Sequence, residues 1–172
     1  MNLKRIKVIN IINIFILSFI AHNVYKYFPS TLTAIFFPIN ESIFEHLKII
    51  FTSTLLGGII DYILLKNNNI TYNNFKFQLF FTSFISIPIF LIIYIPIHYL
   101  LGEYLILTLI LLLITYIISQ IISYYILLHK EIPLLNKISI ILIILTFINF
   151  FVLTITENKD DFFYDTYTKK IP

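Results

Sequence analysis

The stretch Phe37–Lys48, F-P-I-N-E-S-I-F-E-H-L-K, decides how this chain is organised. Two carboxylates, a histidine, a lysine, an asparagine and a serine lie close together here, and a long apolar run follows at once. Ionisable groups are expensive inside a membrane and usually have a function there. The stretch therefore marks the part of the chain where we expect a polar site.

The rest of the chain is too apolar for a soluble protein. It has 172 residues, of which 59% are hydrophobic and 12% charged, and its mean hydropathy is +0.91. A soluble domain carries roughly 25% charged residues, so the expected partner is the lipid bilayer. The chain has no cysteine, which excludes disulfides and cysteine-ligated metals. Its basic residues are scattered and leave no nucleic-acid footprint.

The hydropathy pattern predicts an all-α integral membrane helix bundle with about five transmembrane helices. The predicted helices are residues 8–27, 40–65, 75–97, 104–128 and 138–156. They form a single bundle over residues 1–156, and residues 157–172 form a polar extracytoplasmic tail. We expect Pro29–Ile39 to be a short connection, and Pro88 and Pro96 to kink or end the third helix.

The distribution of loop cations predicts the orientation of the bundle, because cytoplasmic loops carry an excess of lysine and arginine. With five spans, one side carries Lys4, Arg5, Lys7, Lys66, Lys76, Lys130 and Lys137, and the other carries Lys26, Lys159, Lys169 and Lys170. The prediction is a multi-pass protein of the cytoplasmic membrane, with its N-terminus inside and its C-terminus outside.

Half of the opening stretch has a structural explanation. Asn40 is a favourable N-cap, and Ile39 with Phe44 has the spacing of a hydrophobic staple. Glu41 would lie in the first turn, where the helix dipole favours an anion.

The other half forms a polar arc on a helix that should lie in lipid. At 100° per residue, Glu41, Ser42, Glu45, His46 and Lys48 share one side of the helix. Such an arc must face other helices or a hydrated cavity. Capping together with an ion-paired packing network is the simplest interpretation.

A divalent-metal or acid–base site is the sharper interpretation of the same arc. The candidate metal ligands are Glu41, Glu45, His46, His22 and His98, all predicted at the outer face. Glu45 and His46 are also the candidate catalytic acid–base pair. The E-x-x-x-E-H spacing is not a recognised zinc signature.

Two further interpretations stay open. A transporter would need a polar path from Glu45 to Asp61, whereas a purely structural Asp61 would pair with Lys66 or Lys76. An interaction subunit would use the small residues Ser53 and Gly57 as a packing seam.

The stretch resembles the P-V-N-E-S-V-W-E-H-L-K core of a family of small bacterial polytopic membrane proteins of unknown function. Here the core is Pro38-Ile39-Asn40-Glu41-Ser42-Ile43-Phe44-Glu45-His46-Leu47-Lys48, with Phe44 in place of the tryptophan. The resemblance also covers a histidine before the core, His22, and an acidic, aromatic tail, Asp160–Ile171. It implies a multi-pass membrane architecture and supplies no activity.

The functional expectation is an outer-face polar pocket that binds a cation or a polar headgroup. The alternatives are a metal-dependent or acid–base hydrolase acting on lipid or peptide, an ion- or proton-coupled transporter, and a structural subunit.

Overall fold

The computed structural model describes residues 1–102, 104–156 and 163. The helices in these ranges are α1 (Leu3–Tyr27), α2 (Thr31–Phe36), α3 (Ile43–Asn67), α4 (Phe75–Leu101), α5 (Leu105–Leu128) and α6 (Pro133–Ile155). All except α2 are long and apolar enough to cross a membrane. The predicted all-α bundle with five transmembrane helices is confirmed, and the sidedness of its termini stays a prediction.

Several helix ends differ from the predicted ones for local reasons. The first helix begins at Leu3 rather than residue 8, because the Asn2 side chain caps it by accepting a hydrogen bond from the Arg5 N–H at 2.9 Å. The last begins at Pro133 rather than residue 138. A proline is favourable at this position, since the first helical N–H groups have no intrahelical partner.

Pro88 and Pro96 were predicted to kink or end α4, and of these two outcomes the early end is wrong. The helix continues through Pro88 and Pro96 to Leu101, as membrane helices can when neighbouring groups satisfy the freed carbonyls. It ends at Gly102, whose φ of 81° suits a residue without a side chain. His98 consequently lies in the last turn of α4 and not in a connecting turn.

α3 is the central helix of the bundle. It packs against α1 and α4, while α5 packs against α1 and α4, and α6 packs against α4 and the short α2. The apolar window of α3 is 61% buried, against 17–28% for the other four spans. The polar residues of α3 are therefore placed inside the protein, where they need partners from the surrounding helices.

Small residues on α3 let its neighbours approach closely. A side chain at Gly57 would place its Cβ 2.3 Å from Ile14 Cγ1 of α1, and one at Gly58 would lie 2.4 Å from Leu79 Cδ1 of α4. Ser53, one turn before Gly57, is fully buried and hydrogen-bonds the Tyr116 hydroxyl at 2.9 Å. The seam predicted from the sequence is thus used inside the monomer.

A buried ion pair joins α1 to α3 at the end of the bundle where α1 begins. Lys7 Nζ contacts Asp61 Oδ2 and also donates to Ser123 Oγ of α5 at 2.6 Å. The prediction that Asp61 pairs with Lys66 or Lys76 is wrong. Lys7 can reach Asp61 because α1 and α3 run antiparallel in direct contact, which places their residues side by side across 54 positions of sequence.

Removing one member of this pair should destabilise the bundle by roughly 3–5 kcal/mol, because it leaves the other charge buried and alone. Lys7→Met and Asp61→Asn test this in detergent, by the free energy of unfolding. The double variant should lose less than the sum of the two single variants. Lys4→Met, an exposed lysine in the same helix turn, is the matched control and should change stability by no more than about 0.5 kcal/mol. Strictly additive losses would contradict the pairing.

Candidate functional site

The helix that carries the polar stretch begins later than predicted. Ser42, not Asn40, is the N-cap of α3, and its Oγ accepts from the Glu45 N–H at 3.2 Å. Asn40 instead accepts from the Ser42 N–H at 3.0 Å, which makes a side-chain turn ahead of the cap. The pattern Ser42-Ile43-Phe44-Glu45 has the S-x-x-E spacing of a helix start and could have located this end.

The predicted staple between Ile39 and Phe44 does not fit this later start. Phe44 packs instead in an aromatic cluster with Phe51 of α3 and with Phe147 and Phe150 of α6. This cluster attaches the first turns of α3 to the last turns of α6. It fixes the end of the bundle that carries α2, which we call the α2 end.

Glu45 is the centre of a buried hydrogen-bond network. Its Oε2 contacts Lys48 Nζ at 2.7 Å and accepts from the Ile39 N–H at 3.0 Å. Its Oε1 accepts from Thr154 Oγ1 of α6 at 2.9 Å. The Glu45 and Lys48 side chains are both 0% exposed. Both carboxylate oxygens are thus engaged in holding the chain together.

Lys48 and Thr52 attach the short helix α2 to α3. Lys48 Nζ donates to the Ala34 carbonyl at 3.0 Å, and Thr52 Oγ1 donates to the Phe36 carbonyl at 2.8 Å. The last carbonyls of a helix have no intrahelical donor, and its C-terminal end favours a cation. α2 was not predicted, because six residues are too few to show a helical pattern. Part of the polar arc of α3 therefore binds α2.

The remaining polar residues of the stretch form a separate group with α1. Glu41 Oε2 lies 3.3 Å from His22 Nε2 and 3.4 Å from His46 Nε2. One ligand atom from each of the three residues lies within 4.8 Å of those of the other two. The two imidazole rings meet edge to face, with their centroids 5.3 Å apart. This group of three is the best candidate metal centre in residues 1–102 and 104–156.

The hydrogen bond on the far side of His46 fixes which nitrogen faces Glu41. His46 Nδ1 lies 2.8 Å from the Ser42 carbonyl, which can only accept, so Nδ1 carries the hydrogen. In the neutral ring Nε2 then carries no hydrogen, and its lone pair points toward the Glu41 carboxylate. Two acceptors at this separation repel unless a proton or a metal ion lies between them. Metal-binding histidines commonly donate their second N–H to a carbonyl in this way.

The group lies at the rim of a cavity rather than in the core. The side chains of His22, Glu41 and His46 are 37%, 36% and 35% exposed. A cavity of about 280 Å³ is lined by His22 and His46 together with other side chains of α1, α3, α4 and α5. The group is therefore accessible, in contrast to the Glu45–Lys48 network below it.

The remaining predicted site residues lie elsewhere. Glu45 forms an ion pair with Lys48, and Asp61 forms an ion pair with Lys7 at the opposite end of the bundle. His98 lies against Tyr94, whose hydroxyl is 3.3 Å from His98 Nδ1. It is not one of the three clustered ligands in the described ranges. Glu103 and the acidic residues of the predicted tail lie outside the described residues.

Replacing Glu45 with glutamine should cost roughly 3–5 kcal/mol of stability, because Lys48 would remain buried without its counter-charge. Thr154→Val removes one hydrogen bond to the same carboxylate and should cost roughly 1.5–3 kcal/mol. Thermal unfolding of the two variants in detergent checks the order. Equal, small losses in both would show that Glu45 does not hold this end together.

Comparisons with known proteins identify the family of the chain. No curated protein and no solved structure matches it. The model of a family described as "Family of unknown function (DUF6512)" matches residues 1–171. Because this match spans almost the whole chain, the protein belongs to that family of unknown function.

Proposed function

We propose that this protein binds a divalent transition-metal ion, best a zinc ion, at the α2 end of a multi-pass membrane bundle. His22, Glu41 and His46 are the ligands. The observation that carries the proposal is the pair of separations between Glu41 Oε2 and the two imidazole nitrogens, 3.3 Å and 3.4 Å.

These separations fit a shared metal better than direct hydrogen bonds. Tetrahedral zinc binds nitrogen and oxygen ligands at about 2.0–2.1 Å, which puts neighbouring ligand atoms about 3.4 Å apart. A charge-assisted N–H···O hydrogen bond is shorter, about 2.7–2.9 Å. Two imidazoles and one carboxylate also form a donor set that zinc uses in proteins.

Three protein ligands leave the fourth zinc position open. Structural zinc sites usually have four protein ligands, whereas sites that bind or activate a molecule keep one position free. The exposure of His22, Glu41 and His46 supports an accessible fourth position. In the predicted orientation this position faces the outer side of the cytoplasmic membrane, within reach of a polar headgroup.

A metal-dependent hydrolase acting on lipid or peptide is the second candidate, favoured by the cavity beside the ligands. A zinc ion held by His22, Glu41 and His46 would supply a bound water acidic enough to act as a hydroxide nucleophile toward a carbonyl carbon near neutral pH. Glu45 is a poor choice of base for this step, because both of its oxygens already accept hydrogen bonds.

The interior favours neither transport nor assembly through the small-residue seam. Between the two ion-paired ends, Ser53 pairs with Tyr116, and Asn10 donates to Gln120 at 3.3 Å. Ile14 is fully buried on the same side of α1. Hydrogen bonds between neighbouring helices, such as these, support a packing role for the buried polar residues that make them. The seam at Gly57 is already covered by α1.

Metal analysis of the purified protein tests the main proposal. After incubation with zinc and removal of excess metal, we expect about one zinc per chain, measured by mass spectrometry. His22→Ala, Glu41→Gln and His46→Ala should each weaken zinc binding about tenfold or more, because each removes a ligand. Substituted cobalt should give the strong visible absorption of a tetrahedral site.

The matched control for this experiment is His98→Ala. It removes a histidine near the end of α4 that is not in the cluster, and it should keep the zinc content of the original protein. Unchanged zinc content in all three ligand variants, with normal thermal unfolding, would contradict the proposal.

The hydrolase has a separate test. The zinc-loaded protein should hydrolyse a short-chain ester in detergent, and the rate should fall to background in His46→Ala while it is kept in His98→Ala. A rate that is insensitive to His46→Ala and to zinc removal would exclude a zinc-dependent reaction at this site.

A further inference from the structure

We propose that the cavity beside His22 and His46 binds the hydrocarbon chain of a single-chain amphiphile whose anionic head coordinates the metal. The part that concerns the head rests on the proposed metal site. The part that concerns the chain rests on the lining of the cavity alone.

Most polar side chains of the cavity lining lie toward the α2 end. Its polar lining includes His22, Asn23 and Thr108, close to the ends of α1 and α5 that lie at the α2 end. Ile50 and Leu112 lie one helical turn deeper than His46 and Thr108, about 6 Å along the axis. A ligand that fits this gradient is polar at one end and apolar at the other.

The apolar lining of the cavity comes from α1, α3, α4 and α5. Phe90 of α4 is buried at its inner wall, Ile49 and Ile50 come from α3, and Leu109 and Leu112 come from α5. Ser18, the polar residue one turn below His22, donates its hydroxyl to the Phe15 carbonyl at 2.6 Å. Its donor is thus already used, so this part of the wall gives a polar ligand group little to bind.

The cavity is placed for entry from the bilayer. It is lined by Phe19 of α1 and Leu105 of α5, which are also 46% and 76% exposed at the surface of the bundle. Near their other ends α1 and α5 are joined by the contact of Lys7 with Ser123 and of Asn10 with Gln120. The two helices are therefore held together at one end and enclose the cavity at the other. A lipid chain can enter between them without crossing water.

The charge at the mouth and the volume of the cavity further restrict the ligands that can bind. A divalent ion on Glu41 and two neutral imidazoles leaves a net charge of about +1 at the mouth, which favours an anionic head such as a carboxylate or a phosphate. The volume of about 280 Å³ is just below that of most ligand pockets, which run from roughly 300 to 1,000 Å³. It is too small for a two-chain lipid and holds part of a single chain, whose remainder can extend between α1 and α5 into the bilayer.

Blocking the cavity tests the chain. Leu109→Trp places an indole in the cavity, whereas Ile110→Trp, the next residue on α5, points it toward lipid and is the matched control. The probe is a nitroxide-labelled long-chain fatty acid, and its immobilised fraction is measured by electron paramagnetic resonance on zinc-loaded protein in detergent. We expect Leu109→Trp to weaken binding by about tenfold or more and Ile110→Trp to leave it unchanged.

Competition tests the head. A lysophospholipid and a free fatty acid distinguish a phosphate from a carboxylate source, and displacement by either supports the proposal. A long-chain alcohol of equal length should compete at least about tenfold less well, because it lacks the anion. Equal competition by the alcohol would overturn the anionic head.

Zinc content is measured on every sample, so that the two proposals fail separately. If Leu109→Trp keeps both its zinc and its probe binding, the chain site is overturned and the metal site stands. The other outcome is that the unsubstituted protein holds no zinc but still binds the probe, and that Leu109→Trp loses this binding. In that case the metal site and the anionic head are overturned and the chain site stands. Leu105→Trp, at the exposed mouth, gives the same test should Leu109→Trp fail to fold.

Discussion

The ion pair between Glu45 and Lys48 is the interaction on which the α2 end of this protein depends. Both side chains are fully buried in a helix surrounded by apolar neighbours, where an unpaired charge is very costly. The pair alone does not use all of its hydrogen-bonding capacity. The Ile39 N–H, the Ala34 carbonyl and the Thr154 hydroxyl supply three further hydrogen bonds. Satisfying one buried pair therefore brings α2, the turn before α3 and α6 to the same place.

The accessible histidine–glutamate group is a consequence of that arrangement. Glu41 lies in the turn between Ile39, whose N–H is held by Glu45, and Ser42, which caps α3. Asn40 closes the turn by accepting from the Ser42 N–H. The carboxylate of Glu41 is thus carried on a short, tethered piece of backbone opposite His22. We infer that Glu45 positions Glu41 and is not a ligand itself, which agrees with the ion-paired packing network that the sequence indicates as the simplest interpretation.

The sequence predicts the parts of this protein that depend on local pattern. Five long apolar runs become five long helices, and His22, Glu41 and His46, which the sequence singled out, lie together in the structure. The parts that depend on tertiary contact are not predictable in this way. The pairing of Asp61 with Lys7 spans 54 positions, and nothing local distinguishes Lys7 from the neighbouring cations Lys4 and Arg5. The structural role of Glu45 depends likewise on a distant partner, because Thr154 lies 109 positions away in the sequence.

The two polar centres of the bundle differ in what they leave available for function. At the end where α1 begins, Lys7 and Asp61 bind each other in the core, with side chains 5% and 0% exposed. The two side chains are each other's partners, so a ligand would have to break the ion pair in order to bind either of them. At the α2 end the carboxylates of Glu41 and Glu45, which would repel each other, belong to two separate groups. Glu45 is neutralised by Lys48, whereas Glu41 faces two imidazoles at the rim of a cavity. A site that binds something from outside must be accessible, and the group of Glu41 with His22 and His46 is partly exposed, whereas the two ion pairs are buried.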